Sequence, residues 1–88
     1  MQVYEQYSAA VKEISLFESL LEQNVGNLVR VKIDTKRFAF FLNEKLFLLV
    51  SFEKETAPNS SLKDRRLLLY DGQNRYNYFF SPNEIEFL

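Results

Sequence analysis

The chain has no cysteine, no histidine and no tryptophan, only two glycines and two prolines, and a net charge of just −1 over 88 residues. Without cysteine there is no disulfide framework and no thiolate metal site, and without histidine the commonest general base and metal ligand are gone. Ser–His and Cys–His nucleophilic arrangements are excluded on the same grounds. Gly26 and Gly72 are isolated, so no glycine-rich loop cradles a phosphate, and no Asp-x-Asp-x-Asp-Gly loop offers a calcium site. The closest carboxylate pairs, Glu53 with Glu55 and Glu84 with Glu86, lie in charged segments that read as solvated surface. The expectation is therefore a protein that is not an enzyme and uses no metal and no cofactor. A near-zero net charge also removes the bulk polycation of a sequence-blind DNA binder.

Long hydrophobic runs are missing too. Nothing approaches the ~18 apolar residues of a membrane-spanning helix, and the N-terminus shows no charged region followed by an apolar stretch. The first helical segment carries Glu5, Glu13 and Glu22 on its polar side, the wrong sign for anionic lipid. The expectation is a cytoplasmic protein with no membrane role.

What the chain does have is aromatic and apolar bulk. Nine phenylalanines and five tyrosines sit in a composition that is 47% hydrophobic and 26% charged. Large aromatic side chains let a small domain reach useful stability without staples. One core of this size still leaves apolar surface uncovered, which points to self-association or a protein partner. Charge is uneven along the chain: residues 1–25 carry Lys12 against Glu5, Glu13, Glu18 and Glu22, whereas 26–54 and 63–76 are mildly basic. Residues 1–88 read as a single domain, and a homo-oligomer is expected.

The spacing predicts a helix over 3–24. Val3, Tyr7, Ala10, Val11, Ile14, Phe17 and Leu21 recur at three- and four-residue steps, no Gly or Pro interrupts them, and Asn24 with Gly26 supplies a stop. Glu18 falls inside that apolar stripe, and Leu16 and Leu20 lie off it, which marks the latter two as candidate interface residues. From Leu28 the period changes to 2. Val29, Val31 and Ile33 alternate with charged residues, Phe38, Phe40 and Leu42 suggest a second strand, and Asn43-Glu44-Lys45 suggests a turn. Leu46 to Phe52 is apolar on both faces, as in a central strand covered on both sides, with the N-terminal helix as the expected cover. Residues 54–63 read as a loop containing Pro58 and the Asn59-Ser60-Ser61 sequon. Leu67–Tyr70 and Tyr76–Phe80 flank Asp71-Gly72-Gln73-Asn74, a hairpin signal. Ser81-Pro82-Asn83-Glu84 fits a capping box or a plain turn before a short last strand at 85–88.

One helix followed by antiparallel strands is an α+β arrangement of about five strands, either an open meander or a small closed barrel. In outline the order, with Gly26 leading into Leu28–Ile33, resembles the SH3-like barrels, including the Sm-like and Tudor-like groups. That resemblance implies a strongly bent barrel that binds RNA or peptides. The segment over 38–42 lacks the bending glycine of those barrels, and no Asp-x-x-Asn follows it.

Two functions from different classes follow. The first is a small protein–protein interaction module, an adaptor or inhibitor-like regulator, using Leu16 and Leu20 with a second patch of Arg66, Tyr76 and Tyr78. The second is a barrel that binds single-stranded nucleic acid through Lys36, Arg37, Arg66, Arg75, Tyr76 and Tyr78, with cations for phosphates and tyrosines for bases.

Overall fold

The computed structural model describes residues 3–34, 36, 41–43, 45–54 and 63–88, with the backbone alone for 3–11. One helix, α1 (Val3–Asn24), precedes five strands: β1 (Leu28–Val31), β2 (Leu46–Glu53), β3 (Arg65–Tyr70), β4 (Arg75–Phe80) and β5 (Ile85–Phe87). All pairings are antiparallel, in the order β4-β3-β2-β1-β5. The architecture is α+β, a helix packed on a five-stranded sheet. No helix among the described residues is long and apolar enough to cross a membrane.

α1 forms where no breaker interrupts the apolar spacing, and it buries Phe17 and Leu21 among Val29, Phe47, Leu49, Leu67 and Phe80. Its end is tied down by three polar contacts. Asn24 Nδ2 donates to the Leu20 carbonyl at 2.7 Å, satisfying one of the carbonyls a helix end orphans. Gly26, at φ +89°, turns the chain through a conformation side chains resist, and its N–H reaches the Leu49 carbonyl of β2 at 2.8 Å. The Leu49 N–H in turn donates to the Asn27 carbonyl at 3.0 Å, so the helix exit is stitched to the middle of the sheet. Glu18, out of place in an apolar stripe, meets Arg65 at 3.4 Å, an arginine only 6% exposed. The more exposed pairs Glu13–Lys63 (2.9 Å) and Glu22–Lys54 (2.7 Å) join the same helix to the two ends of the 54–63 segment. The Glu22 carboxylate, by hydrogen bond and charge, raises the Lys54 ammonium above its usual range. Pairs this exposed stabilise weakly.

β2 lies third in the sheet, the central position its two-sided apolar sequence implies. A register shift between Leu49 and Ser51 inserts Val50 as a bulge against β3. Bulges bend a strand where no glycine is available. That bend does not close the barrel: β4 and β5 remain the two edges of an open sheet. The gap between them is spanned by a 3₁₀ turn at Pro82–Glu84, in contact with α1, rather than by strand pairing. Within the turn, the Glu84 carboxylate accepts the Ser81 N–H at 2.8 Å, and the Lys32 N–H reaches the Glu84 carbonyl at 2.7 Å.

Two other expectations are corrected. The first strand ends at Val31, not Ile33, because Ile33 pairs with a side chain: its N–H and carbonyl both bond the Asn43 amide at 2.7 Å. Phe41 and Leu42 form a helical turn rather than the end of a strand, and Leu42 is fully buried by it; 38–40 lie outside the described residues. The sequon and Pro58 also lie outside them.

The β3–β4 hairpin turns on Asp71. Its Oδ1 accepts the N–H of Gln73 (2.9 Å) and of Asn74 (2.8 Å), while Gly72 takes φ +100°. Those two N–H groups, Asn74 foremost, hold the Asp71 carboxyl below its ordinary range. A carboxylate depressed in the folded state contributes stability that is complete above the unfolded value near 3.9 and is lost as pH falls through the lower folded one. Acidification through that window is expected to lower the protection of the Gln73 and Asn74 amides, relative to their intrinsic exchange rates, before the core opens. Asp71→Ala is expected to show the same loss of protection already at neutral pH. If Asp71→Ala protects both amides as the parent does, the carboxylate does not hold the turn.

Candidate functional site

Two surfaces carry the residues singled out in the sequence. The first is a groove of about 270 Å³ between α1 and β5, lined by Glu13, Leu16, Phe17, Leu20, Pro82, Ile85 and Phe87. Leu16 is 62% exposed at its rim and Leu20 is half-buried. The helix positions Leu16 and Leu20 one turn apart, because residues four apart share a face. The register then sets the opposite wall. Val31 faces Ile85 and Val29 faces Phe87 across the β1–β5 ladder, while Lys32 bonds Glu84. In an antiparallel ladder bonded and non-bonded pairs alternate, so the Lys32–Glu84 bond turns the backbone groups of Ile85 and Phe87 away from β1. The open edge of β5 therefore presents N–H and carbonyl groups directly beside the apolar groove.

The second surface is the sheet itself, and here the register separates residues that the sequence had grouped. Leu49 faces Leu69, which faces Tyr76; Phe52 faces Leu67, which faces Tyr78. Both tyrosines accordingly belong to the face that packs on the core. Tyr76 meets the Phe47 ring edge-on at 5.7 Å and Phe41 at 6.0 Å, and Tyr78 meets Phe41 at 6.4 Å. The Tyr76 hydroxyl donates to Asp71 Oδ2 at 3.2 Å; burial first, and then the Asp71 charge, raises its pKa.

Arg66 lies on the opposite face. It pairs across the ladder with Glu53 on one side and Phe79 on the other, and its guanidinium sits 4.7 Å from the Phe79 ring centroid. Arg75 is on that outer face as well, opposite Tyr70. Lys36 is exposed in a turn, its N–H bonded to Asp34 Oδ1 at 2.9 Å, and Arg37 lies outside the described residues. The structure thus brings Leu16 and Leu20 together, and puts Arg66 and Arg75 on one face but at opposite ends of the β3–β4 hairpin. It places Tyr76 and Tyr78 across the sheet from both arginines.

Sequence reasoning missed two features. Phe41 is exposed and closes a three-ring cluster with the two tyrosines. The outer face has an apolar centre: Leu28, Leu48 and Tyr70 form one row across β1, β2 and β3, with Leu46 and Leu68 in the rows beside it. The second apolar phase of β2 was the signal for this face, and α1 covers only the other one. A further open depression of about 450 Å³ lies at the end of β1, lined by Arg30, Val31, Lys32, Ile33, Asp34 and Asn43.

Comparison with protein-family models, with curated proteins and with solved structures finds no match to this chain.

Proposed function

We propose that this chain is a small non-enzymatic protein-binding module, an adaptor or inhibitor-like regulator, whose primary contact is the groove between α1 and β5. The observation that supports it is the meeting of an apolar channel, walled by Leu16, Leu20, Pro82 and Phe87, with the unpaired backbone edge of β5. An extended segment added to such an edge gains backbone hydrogen bonds and sets alternate side chains into the adjoining channel. The same edge serves a second copy of the chain, so self-association belongs to the same reading.

Leu16→Asp with Leu20→Asp places two charges in the channel. The variant is expected to keep the parent's circular dichroism spectrum and to lose the partner that the parent retains in affinity capture, with any self-association lost alongside in light scattering. An unchanged captured set and an unchanged mass would remove the groove from the proposal.

A nucleic-acid reading keeps one supporting observation: Arg66 and Arg75 share a face with the aromatic rings of Tyr70 and Phe79. Binding of single-stranded RNA that weakens steeply with salt would favour it.

A further inference from the structure

Among the described residues the outer face of the sheet has an apolar centre, a rim on which Arg30, Arg66 and Arg75 stand with Glu53 and Glu86, and no helix over it. We infer that it docks an acidic amphipathic helix of a partner protein, at a surface separate from the α1–β5 groove; this rests on the protein-binding reading above.

The centre is the row Leu28, Leu48 and Tyr70, flanked by Leu46 and Leu68. Leu28 is 49% exposed and Leu46 46% exposed, where an isolated sheet face would carry polar residues. Sheets bury a second apolar face against another layer, commonly a helix. Three strands at about 4.8 Å spacing span roughly 10 Å, the width of one helix. The row therefore matches the footprint of a helix lying along β2.

Charge decides the chemistry of that helix. Arg30 stands at the β1 side of the row, and Arg66 and Arg75 stand at the β3–β4 side. None of the three makes an ion pair among the described residues. Glu86 is taken by Lys32 at 3.1 Å, and Glu53 lies in register with Arg66 without closing an ion pair to it. Arg66 carries the sharper signal: its Nε is buried and has no hydrogen-bond acceptor among the described residues. A desolvated donor left without an acceptor is costly, and an incoming carboxylate beside the guanidinium relieves that cost. Cations on both flanks of an apolar row call for a helix with a leucine-type stripe and glutamate or aspartate on either side.

Single-stranded nucleic acid fits the same face less well. Its bases need free aromatic faces. Here the Phe79 ring already has the Arg66 guanidinium over it, the Tyr70 hydroxyl is engaged with the Gly72 carbonyl at 2.9 Å, and the middle of the row is leucine.

The test uses the full chain, isotopically labelled, and three probes: a synthetic helical peptide with a leucine stripe flanked by glutamates, the same peptide with lysines for glutamates, and a single-stranded oligonucleotide. The glutamate peptide is expected to shift the amides of Leu28, Leu48 and Leu68 and the Nε–H signal of Arg66, and to bind more weakly as salt rises. Arg30→Glu with Arg75→Glu is expected to weaken it by about tenfold or more. Arg75→Glu alone, at an exposed position, gives the same direction should the double variant fold poorly. Leu16→Asp is expected to leave this binding unchanged, which separates the outer face from the groove. Equal binding of the lysine peptide, shifts confined to Leu16 and Phe87, or preferential binding of the oligonucleotide would each overturn the inference.

Discussion

Phe17→Ala is expected to lower the free energy of unfolding by about 3–5 kcal/mol, the range for deleting a buried phenylalanine ring. The side chain is 2% exposed and joins α1 to the cluster formed by Val29, Phe47, Leu49, Leu67 and Phe80. Leu21 is the other core residue of the helix, and the polar ties between helix and sheet are weaker. Two of the ion pairs lie in solvent, the third joins Glu18 to Arg65 at 3.4 Å, and the Gly26–Leu49 hydrogen bond acts only at the helix exit. Small domains have total stabilities of roughly 5–15 kcal/mol, so the variant loses a large share of what holds it folded. Urea titration followed by circular dichroism measures the loss, with Phe17→Leu as a milder companion should the alanine variant be unfolded at the start. Leu16→Ala, one residue away on the solvent side, is expected to stay within about 0.5 kcal/mol of the parent. Equal effects at 16 and 17 would mean that the helix does not bury the face described.

That contrast between neighbours was legible in the sequence, since the three- and four-residue spacing sets Phe17 and Leu21 on the stripe and Leu16 and Leu20 off it. The Asp71-Gly72 turn and the central place of β2 were legible for similar reasons: each depends on residues adjacent in the chain. What was hidden depends on partners distant in sequence. Glu18 reads as a flaw in the stripe until Arg65, 47 positions later, is set beside it. The alternation within β4 puts Tyr76 and Tyr78 together, but only the Arg66–Phe79 register shows that Arg66 belongs to the other face. No local pattern announced the bulge at Val50, which takes the place of a bending glycine and leaves the sheet open.

Among the described residues two surfaces remain uncovered for a related reason. Of the described residues α1 alone meets one side of the sheet, and its Glu22, Glu13 and Glu18 pair with Lys54, Lys63 and Arg65, at or near the ends of β2 and β3. The basic middle of the chain is thereby divided. The lysines and Arg65 anchor the helix, while Arg30, Arg66 and Arg75 are left on the outer face beside the leucines. The proposed partner binding at that face and the cohesion of the fold draw on different cations, so charge reversal at Arg75 is compatible with an intact core.

Asn43→Ala is expected to destabilise the protein by about 2 kcal/mol or more. Its amide acts as a short piece of strand: Oδ1 accepts the Ile33 N–H and Nδ2 donates to the Ile33 carbonyl, both at 2.7 Å. Ile33 is 5% exposed, so truncation strands a backbone donor and an acceptor where water reaches them poorly. Each such group costs about 1–3 kcal/mol when left unpaired. Asn43→Asp tests the mechanism, because it retains the acceptor for the N–H and loses the donor to the carbonyl, setting a carboxylate against that oxygen. Its loss of stability is expected to shrink as the carboxyl is protonated at low pH and can donate again. Urea midpoints of both variants, taken at neutral and acidic pH, decide the matter. An alanine variant as stable as the parent, or an aspartate variant whose deficit relative to the parent ignores pH, would show that Ile33 is held by its burial and not by the amide.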